Sequence, residues 1–315
     1  MGALPPLLLL PNAAVRKPTV VAIGNFDGVH RGHRALLHEA VTLAAELHAT
    51  PYALTFDPHP AVVLAGKAVS LLSTLPRRAE LVAAAGVAGL LVQPFDRAFA
   101  QRSPESFVER LLVQELGAVG VVVGADFRFG HERSGDCATL ERIGHAHGLQ
   151  VRCVRLVEDD GGALGSRRVR QALSDGDVRL AAELLGRPYL VEGLVEHGAA
   201  RGRTIGFPTA NVHADGVMIP AVGVYAAYVE AEALGPGLKP AVVNVGHRPT
   251  LDDGRGLTVE AHVLDVSADL YGRSLRVSFI ERLRGEQRFA GLDELKAAIA
   301  RDVTAARATL SSGAS

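Results

Sequence analysis

Between Thr19 and Val157 short apolar runs alternate with stretches whose apolar residues recur every three or four positions. Thr19 to Ile23 predicts a strand. Arg34 to His48 predicts a helix, with Leu36, Leu37, Ala40, Val41, Ala44 and Leu47 at helical spacing. Further strands are expected at Pro51 to Phe56, Gly89 to Val92, Val119 to Val123 and Val151 to Val157. Helices fall between them: around Arg77 to Ala85, after the capping sequence Ser103-Pro104-Glu105, and from Thr139 to His147, where Gly148 stops it. The apolar run at Val119 to Val123 suits a central parallel strand covered on both faces. Repeated strand–helix units of this kind predict an open, doubly wound α/β sheet.

The rhythm changes near residue 187. Asp177 to Leu185 predicts a short capped helix, closed by Gly186 and ended by Arg187-Pro188. Strand patterns then follow without helices between them, at Tyr189 to Glu196, Gly223 to Ala231, Lys239 to Val245, Leu257 to Asp265 and Ser274 to Leu283. Joined by Gly/Pro turns, they predict a small antiparallel β-barrel. A last amphipathic helix runs from about Leu292 to Leu310, with Leu295, Ile299 and Val303 as its expected buried stripe. The chain thus reads as two domains, 1–186 and 187–315, as its 315 residues suggest.

Composition narrows the partners. Lys plus Arg total 33 against 34 Asp plus Glu, a formal charge of -1, so no broad positive field marks the chain for nucleic acid or an acidic membrane surface. Phosphate must be held by local geometry instead. Two cysteines, Cys137 and Cys153, without a CxxC pair, exclude a disulfide framework and a cysteine-based zinc site. The run Leu7 to Leu10 is proline-flanked, has no basic segment before it, and is too short for a signal peptide or a membrane span. The expectation is a soluble, cytoplasmic protein with reduced thiols.

The first chemical signal is Gly24-Asn25-Phe26-Asp27-Gly28-Val29-His30-Arg31-Gly32-His33, between a predicted strand and a predicted helix. Glycines let backbone approach phosphate, and the following helix offers unpaired N–H groups and a positive dipole end. His30 and His33, three apart at that helix start, can both face the phosphates and stabilise charge building on an α-phosphate under attack. Phe56-Asp57-Pro58-His59-Pro60 and Gly124-Ala125-Asp126-Phe127-Arg128-Phe129-Gly130 follow two further predicted strands, at the sheet's ligand-binding edge. Either alone reads as an ordinary polar loop; three at successive strand ends do not.

In this order, GNFDGVHRGH, FDPHP and VGADFRFG resemble the FMN adenylyltransferase module of the bacterial bifunctional riboflavin kinase/FAD synthetases, over essentially the whole first half. The resemblance implies an HxGH nucleotidyltransferase domain. His30 and His33 then contact ATP phosphates, and Asn25 and Asp126 line the nucleotide and flavin pocket. Gly24, Phe26, Asp27, Gly28, Asp57, His59 and Phe127 are the binding positions that accompany them. FMN attacks the α-phosphorus of ATP, and pyrophosphate leaves. One segment departs from the family: its usual Ser-Ser-Thr-x-(Ile/Val)-Arg is here Gly165-Ser166-Arg167-Arg168-Val169-Arg170. Ser166 and Arg170 stay in register as phosphate ligands, while Arg167 adds a charge that can grip phosphate or block the site.

The second signal is Gly202-Arg203-Thr204-Ile205-Gly206-Phe207-Pro208-Thr209-Ala210-Asn211. The chain has neither a GxxxxGK[ST] P-loop nor the protein-kinase motif set. Phosphoryl transfer still needs a phosphate cradle, a Mg²⁺ holder and a proton acceptor. The Gly-rich turn (Gly202, Gly206, Pro208) can form the cradle, and Thr209 and Asn211, two apart on an extended segment, point the same way with hard oxygens suited to Mg²⁺. Asn244 lies in Val243-Asn244-Val245-Gly246-His247-Arg248-Pro249-Thr250; Val259-Glu260-Ala261-His262, Asp269-Leu270-Tyr271-Gly272 and Arg284-Gly285-Glu286-Gln287-Arg288-Phe289 complete the series. This set resembles the riboflavin kinase domain from about Tyr189 to Leu310, which implies a six-stranded barrel with a carboxyl-terminal helix. By the resemblance, Thr209 and Asn211 bind Mg²⁺·ATP and Glu260 is the base that activates the riboflavin 5′-hydroxyl. Arg284, Glu286 and Phe289 read either as a flap around the flavin or as a plain helix-entry loop. FMN and FAD enter as substrate and product, not as redox cofactors.

Alternation also singles out Glu260: Val259, Ala261 and Val263 share one strand face, and Glu260, His262 and Leu264 the other. Two rival readings stay open at this level: a riboflavin kinase alone with a degenerate first domain, and a nucleotidyltransferase acting on another phosphorylated acceptor.

Overall fold

Alternation within single strands decides the architecture of the first half. In the computed structural model, which describes residues 8–9, 15–66, 68–155, 157–196, 206–214, 216–247, 257–266 and 268–312, strand β2 (Thr19–Ile23) is buried on both sides. Val20 and Ala22 pack with Leu37, Leu43 and Val82 on one face of the sheet. Val21 and Ile23 pack with Val108, Leu112 and Leu140 on the other. A strand closed on both faces is the signature of a parallel sheet layered between helices.

The strands are β1 (Leu8–Leu9), β2, β3 (Thr50–Asp57), β4 (Leu90–Pro94), β5 (Ala118–Gly124) and β6 (Gln150–Val154), in spatial order β1-β4-β3-β2-β5-β6. Every pairing in this sheet is parallel, and a separate antiparallel pair, β7 (Glu158–Asp159) and β8 (Gly162–Ala163), follows β6. Helix α1 (Arg31–Glu46) lies against one face, and Cys137–Ala146 with the segment Phe107–Glu115 against the other. Strand order reverses between β2 and β5, where an open α/β sheet leaves a crevice at its carboxyl edge. The loop after β2 opens there. The expected strands all form, and β1 adds a two-residue edge from the Leu7 to Leu10 run, Leu8 and Leu9 registering with Leu90 and Leu91.

In the second half six antiparallel strands close into a barrel: β9 (Tyr189–Glu196), β10 (Ala210–His213), β11 (Gly223–Glu230), β12 (Lys239–His247), β13 (Leu257–Val263) and β14 (Ser274–Arg284), around the ring as β10-β13-β12-β11-β14-β9. The strand beyond the five predicted from alternation is β10, only four residues long. Inward positions fill the barrel with small and aromatic side chains, including Val191, Ala261, Tyr225 and Phe279, the last two meeting edge-on at 5.3 Å. The terminal helix Leu292–Ser312 covers the outer face of β11, β12 and β14. Its deepest residues are Ala298, Asp302, Ala306 and Leu310, while the expected stripe of Leu295, Ile299 and Val303 is only half-buried. Small alanines let the helix sit close to the sheet, so the larger side chains flank the seam.

By its contacts the chain divides into Met1–Ser166 and Arg167–Ser315. Helix Val178–Leu185, which precedes residue 187, packs on β14 and β9 and so lies with the barrel. Leu173, in helix Ser166–Asp175, accepts a hydrogen bond at its carbonyl from Ala221 N–H.

Candidate active sites

The first site is built on a turn that its own residues do not favour. Phe26 (φ 47°) and Val29 (φ 41°) both adopt left-handed backbone, as does Gly28 (φ 76°). Phe26 is fully buried and packs beneath the His33 ring at 5.3 Å. His30 is the N-cap of α1: its Nδ1 accepts from His33 N–H at 3.3 Å, so a neutral ring carries its proton on Nε2. The two imidazoles stack at 3.6 Å. Gly32 permits this, since a β-carbon there would sit 3.2 Å from the His30 ring.

His33 is held well below the ordinary histidine range, first by burial, then by the neighbouring charges of His30 and Arg78. Its Nδ1 is buried and has no hydrogen-bond partner among the described residues. An orphan of that kind, beside a helix start and a glycine turn, fits an incoming phosphate.

Around this pair the sequence-predicted residues separate into two groups. Asp27 is 1% exposed, and its Oδ1 accepts from Leu72 N–H (2.8 Å), Ser73 N–H (3.1 Å) and Arg78 (3.4 Å). It anchors the turn. Asn25 is half-buried, its carbonyl bound by Thr55 Oγ1 at 2.9 Å, and Gly24 lies beside it at the end of β2. Asp57 is exposed at the end of β3, and His59 caps the next helix, Pro60–Ala65, through Nδ1. Asp126 is exposed just beyond β5, and Phe127 stacks on Phe129 at 5.4 Å. Ser166 donates to Asp27 O at 3.0 Å; Arg167 is exposed, and Arg170 is half-buried on the same helix.

Sequence reading missed the aromatic chain Phe56–Phe95–Phe99–Phe107–Phe129–Phe127, whose successive ring centroids lie 5.4–6.1 Å apart. It links the end of β3 to the loop after β5, and nothing in local periodicity announces it.

In the barrel, register gathers residues far apart in sequence. Asn211 lies opposite Glu196 on one side and Glu260 on the other. Glu260 faces Asn244, Asn244 faces Val224, and Val224 faces Arg284. Paired residues share a face, so Glu196, Asn211, Glu260, Asn244, Val224 and Arg284 form one outward-facing row around the barrel. Buried Val259 and Ala261 flank Glu260 and fix which way it points. Arg284 grips the buried Asp302 with two hydrogen bonds, at 2.9 and 2.7 Å, and lies 5.7 Å over the Phe289 ring. Glu286 stands near Asn244, since a β-carbon on Gly246 would meet Asn244 Nδ2 at 3.4 Å and Glu286 Oε1 at 3.6 Å.

His262 Nδ1 bonds Pro208 O at 2.8 Å, and its ring meets Phe207 edge-on, which ties the Gly206–Thr209 segment to β13. Pro208 and Thr209 open on a cavity of about 350 Å³ that Ala261, Leu270 and Tyr271 also line. That size suits part of a nucleotide. Gly202 lies outside the described residues. The Thr209 hydroxyl and the Asn211 amide are hard oxygen donors, and Asn211 registers between Glu196 and Glu260. Among the described residues no group of three or more His, Cys, Asp or Glu can hold a metal. Two hard oxygens fit a divalent ion whose other ligands are phosphate and water.

These features together define a nucleotidyltransferase sheet followed by a flavokinase-type barrel. The sequence pattern of the FAD synthetase family matches residues 12–168, and that of riboflavin kinase matches residues 185–310. The chain belongs to the family of bacterial bifunctional riboflavin kinase/FMN adenylyltransferases. It is 43% identical over 295 residues to the protein so named in Escherichia coli K12, covering 93% of each chain. The Pseudomonas fluorescens relative is 40% identical over 92% of each. The Bacillus subtilis relative is 36% identical over 90% of each. The crystal structure of a protein from Streptococcus pneumoniae, named a macrolide-efflux protein, superposes with a TM-score of 0.86 at 29% identity. It covers 95% of this chain and 98% of that one. Both architectures thus recur along a full-length relative. Among the described residues no helix is long and apolar enough to cross a membrane.

Proposed function

We propose that residues 187–315 transfer the γ-phosphoryl group of ATP to riboflavin, and that residues 1–186 join the resulting FMN to AMP from a second ATP. Membership of the family supports the pair of activities, with riboflavin, FMN and ATP as substrates. The observation that carries the residue assignment is the barrel row, in which Glu260 lies between Asn211 and Asn244.

In the kinase step Glu260 accepts the proton of the 5′-hydroxyl as that oxygen attacks the γ-phosphorus and ADP departs. Thr209 and Asn211 would hold Mg²⁺, which when bound would neutralise charge on the phosphates. Asn244 orients Glu260 from the neighbouring strand, and Arg284, itself held by Asp302, supports Phe289 beside the flavin. The cavity at Thr209 and Tyr271 receives the nucleotide.

In the adenylyl step an FMN phosphate oxygen attacks the α-phosphorus of ATP, and the bond to pyrophosphate breaks. Nε2–H of His30 and the ring of His33 stabilise charge on the α-phosphate oxygens. Gly24 and Gly28 let the turn approach phosphate, while Phe26 and Asp27 act beneath it as supports. Asn25, Asp57, His59 and Asp126 border the pocket, the aromatic chain ending at Phe127 offers a flat wall to the flavin, and Ser166 and Arg170 complete the phosphate contacts. The free thiols of Cys137 and Cys153 suit the reducing cytoplasm.

Incubating the protein with riboflavin, ATP and Mg²⁺, and separating flavins over time, tests the reading. FMN should form and then convert to FAD. FMN accumulating without FAD, even when supplied directly, overturns the adenylyl assignment; no FMN at all overturns the kinase.

A further inference from the structure

We propose that Arg78 is the positioning residue of adenylyl transfer: its buried guanidinium holds the strained Gly24–His30 turn in the form that presents Asn25, Gly28 and the two histidines to phosphate. The inference rests on the reading of His30 and His33 given above.

Arg78 belongs to helix Leu75–Ala83 and is 3% exposed. Its Nη1 donates to Thr55 Oγ1 at 3.3 Å, and its Nη2 to Ser73 O at 3.2 Å and Asp27 Oδ1 at 3.4 Å. Nε points at Ser73 Oγ, 3.5 Å away. Each partner passes the contact on to the turn. Thr55 Oγ1 gives its only proton to Asn25 O (2.9 Å), so toward Arg78 it must accept. Ser73 Oγ accepts from Gly28 N–H at 2.9 Å. Asp27 is itself a member of the turn. One planar fork thus fixes residues 25, 27 and 28 from outside.

The turn needs such a hold. Phe26 and Val29 stand in left-handed backbone without being glycine, which persists only where the surroundings over-determine it. The displacement at risk is that of the His30 cap and of the His33 ring stacked on it. The same cation also opposes protonation of His33, alongside burial and the charge of His30. Lysine is a poorer replacement, because its three donors radiate from one nitrogen, whereas the guanidinium spreads its donors across a wide, rigid planar fork.

The test is Arg78→Lys in the full chain, with Thr55→Val and His33→Ala beside it. Steady-state FAD formation from FMN and ATP is measured together with riboflavin phosphorylation by the same molecules and thermal unfolding. Arg78→Lys should lower kcat for FAD formation about 10- to 100-fold while each KM stays within about threefold, as expected when placement rather than binding is lost. Riboflavin phosphorylation should not change. Thr55→Val keeps shape but cuts the link to Asn25, and should lower kcat about 3- to 10-fold. If Arg78→Lys does not fold, Thr55→Val decides. If the folded variants keep kcat within about twofold while His33→Ala abolishes FAD formation, Arg78 is only a packing residue and the proposal is overturned with the site reading intact. If His33→Ala makes FAD at the wild-type rate, the histidine reading fails and carries this inference with it.

Discussion

Replacing Gly193 by alanine should disable the kinase and spare the adenylyltransferase. A β-carbon built at Gly193 lies 2.1 Å from the His213 carbonyl oxygen, 2.5 Å from its carbon and 3.0 Å from Ala214 N. Ordinary contact begins near 3.4 Å, so that oxygen must retreat by about 1.3 Å. Neither group can rotate aside, because both are backbone. Gly193 also registers with Leu275 on β14, and His213 with Leu194, so the strain falls on the β9–β10 seam that closes the barrel. Overpacking of this kind costs about 1–3 kcal/mol, or more against backbone. A barrel transition should then drop by roughly 4–12 °C. Asn211 is two residues from the clash, and displacing it by about 1 Å should reduce riboflavin phosphorylation about 100-fold. FAD formation from supplied FMN should stay at the wild-type rate. Kinase turnover and melting temperature both unchanged in Gly193→Ala would refute the geometry of the β9–β10 seam and the dependence of the site on it.

Three further outcomes are expected. Glu260→Gln should lower riboflavin phosphorylation about 10²- to 10⁴-fold and leave conversion of FMN to FAD intact, read by flavin chromatography; equal loss of both would count against its role as base. His33 is depressed in the folded state, so between its folded value and the unfolded value of about 6.5 the unfolded chain binds more protons. The stability it confers is therefore complete above about pH 6.5 and is lost as pH falls through the folded value. Urea unfolding of wild type against His33→Asn should show an acid-side slope that the variant lacks. Asp302→Ala strips Arg284 of both carboxylate bonds, which should cost about 1–3 kcal/mol and raise KM for riboflavin.

The large elements were legible because burial follows period. Strand β2 closed on both faces and β13 alternating Val259, Glu260 and Ala261 are visible as patterns, and the glycine-rich motifs fall at strand ends. What local pattern hides is long-range partnership. Strand β10 is too short to announce itself and exists because β9 and β13 pair with it. Arg78 and Asp302 escaped notice although each is in phase with an apolar stripe: Arg78 beside Ala79 and Val82, Asp302 between Ala298 and Ala306. A lone charge on an inward helix position is the available signal, and in both cases its partner, Asp27 or Arg284, is a residue of a motif. Asp27 shows the converse. The sequence marks it as a motif residue, but only its hydrogen bonds reveal that it faces inward.

The row of functional side chains around the barrel has a consequence for how the protein can go wrong. Because Asn211, Glu260, Asn244 and Arg284, with Val224 between the last two, lie at one level on five successive strands of the ring, the alignment of the active site is the alignment of the hoop itself. A slip of one residue on β13 would turn Glu260 into the core and Val259 outward, erasing the catalyst and the packing together. A closed ring has no free edge along which such a slip could relax gradually. Misregistered chains are therefore poorly packed as well as inactive, and quality control that senses exposed valine also screens for catalytic competence.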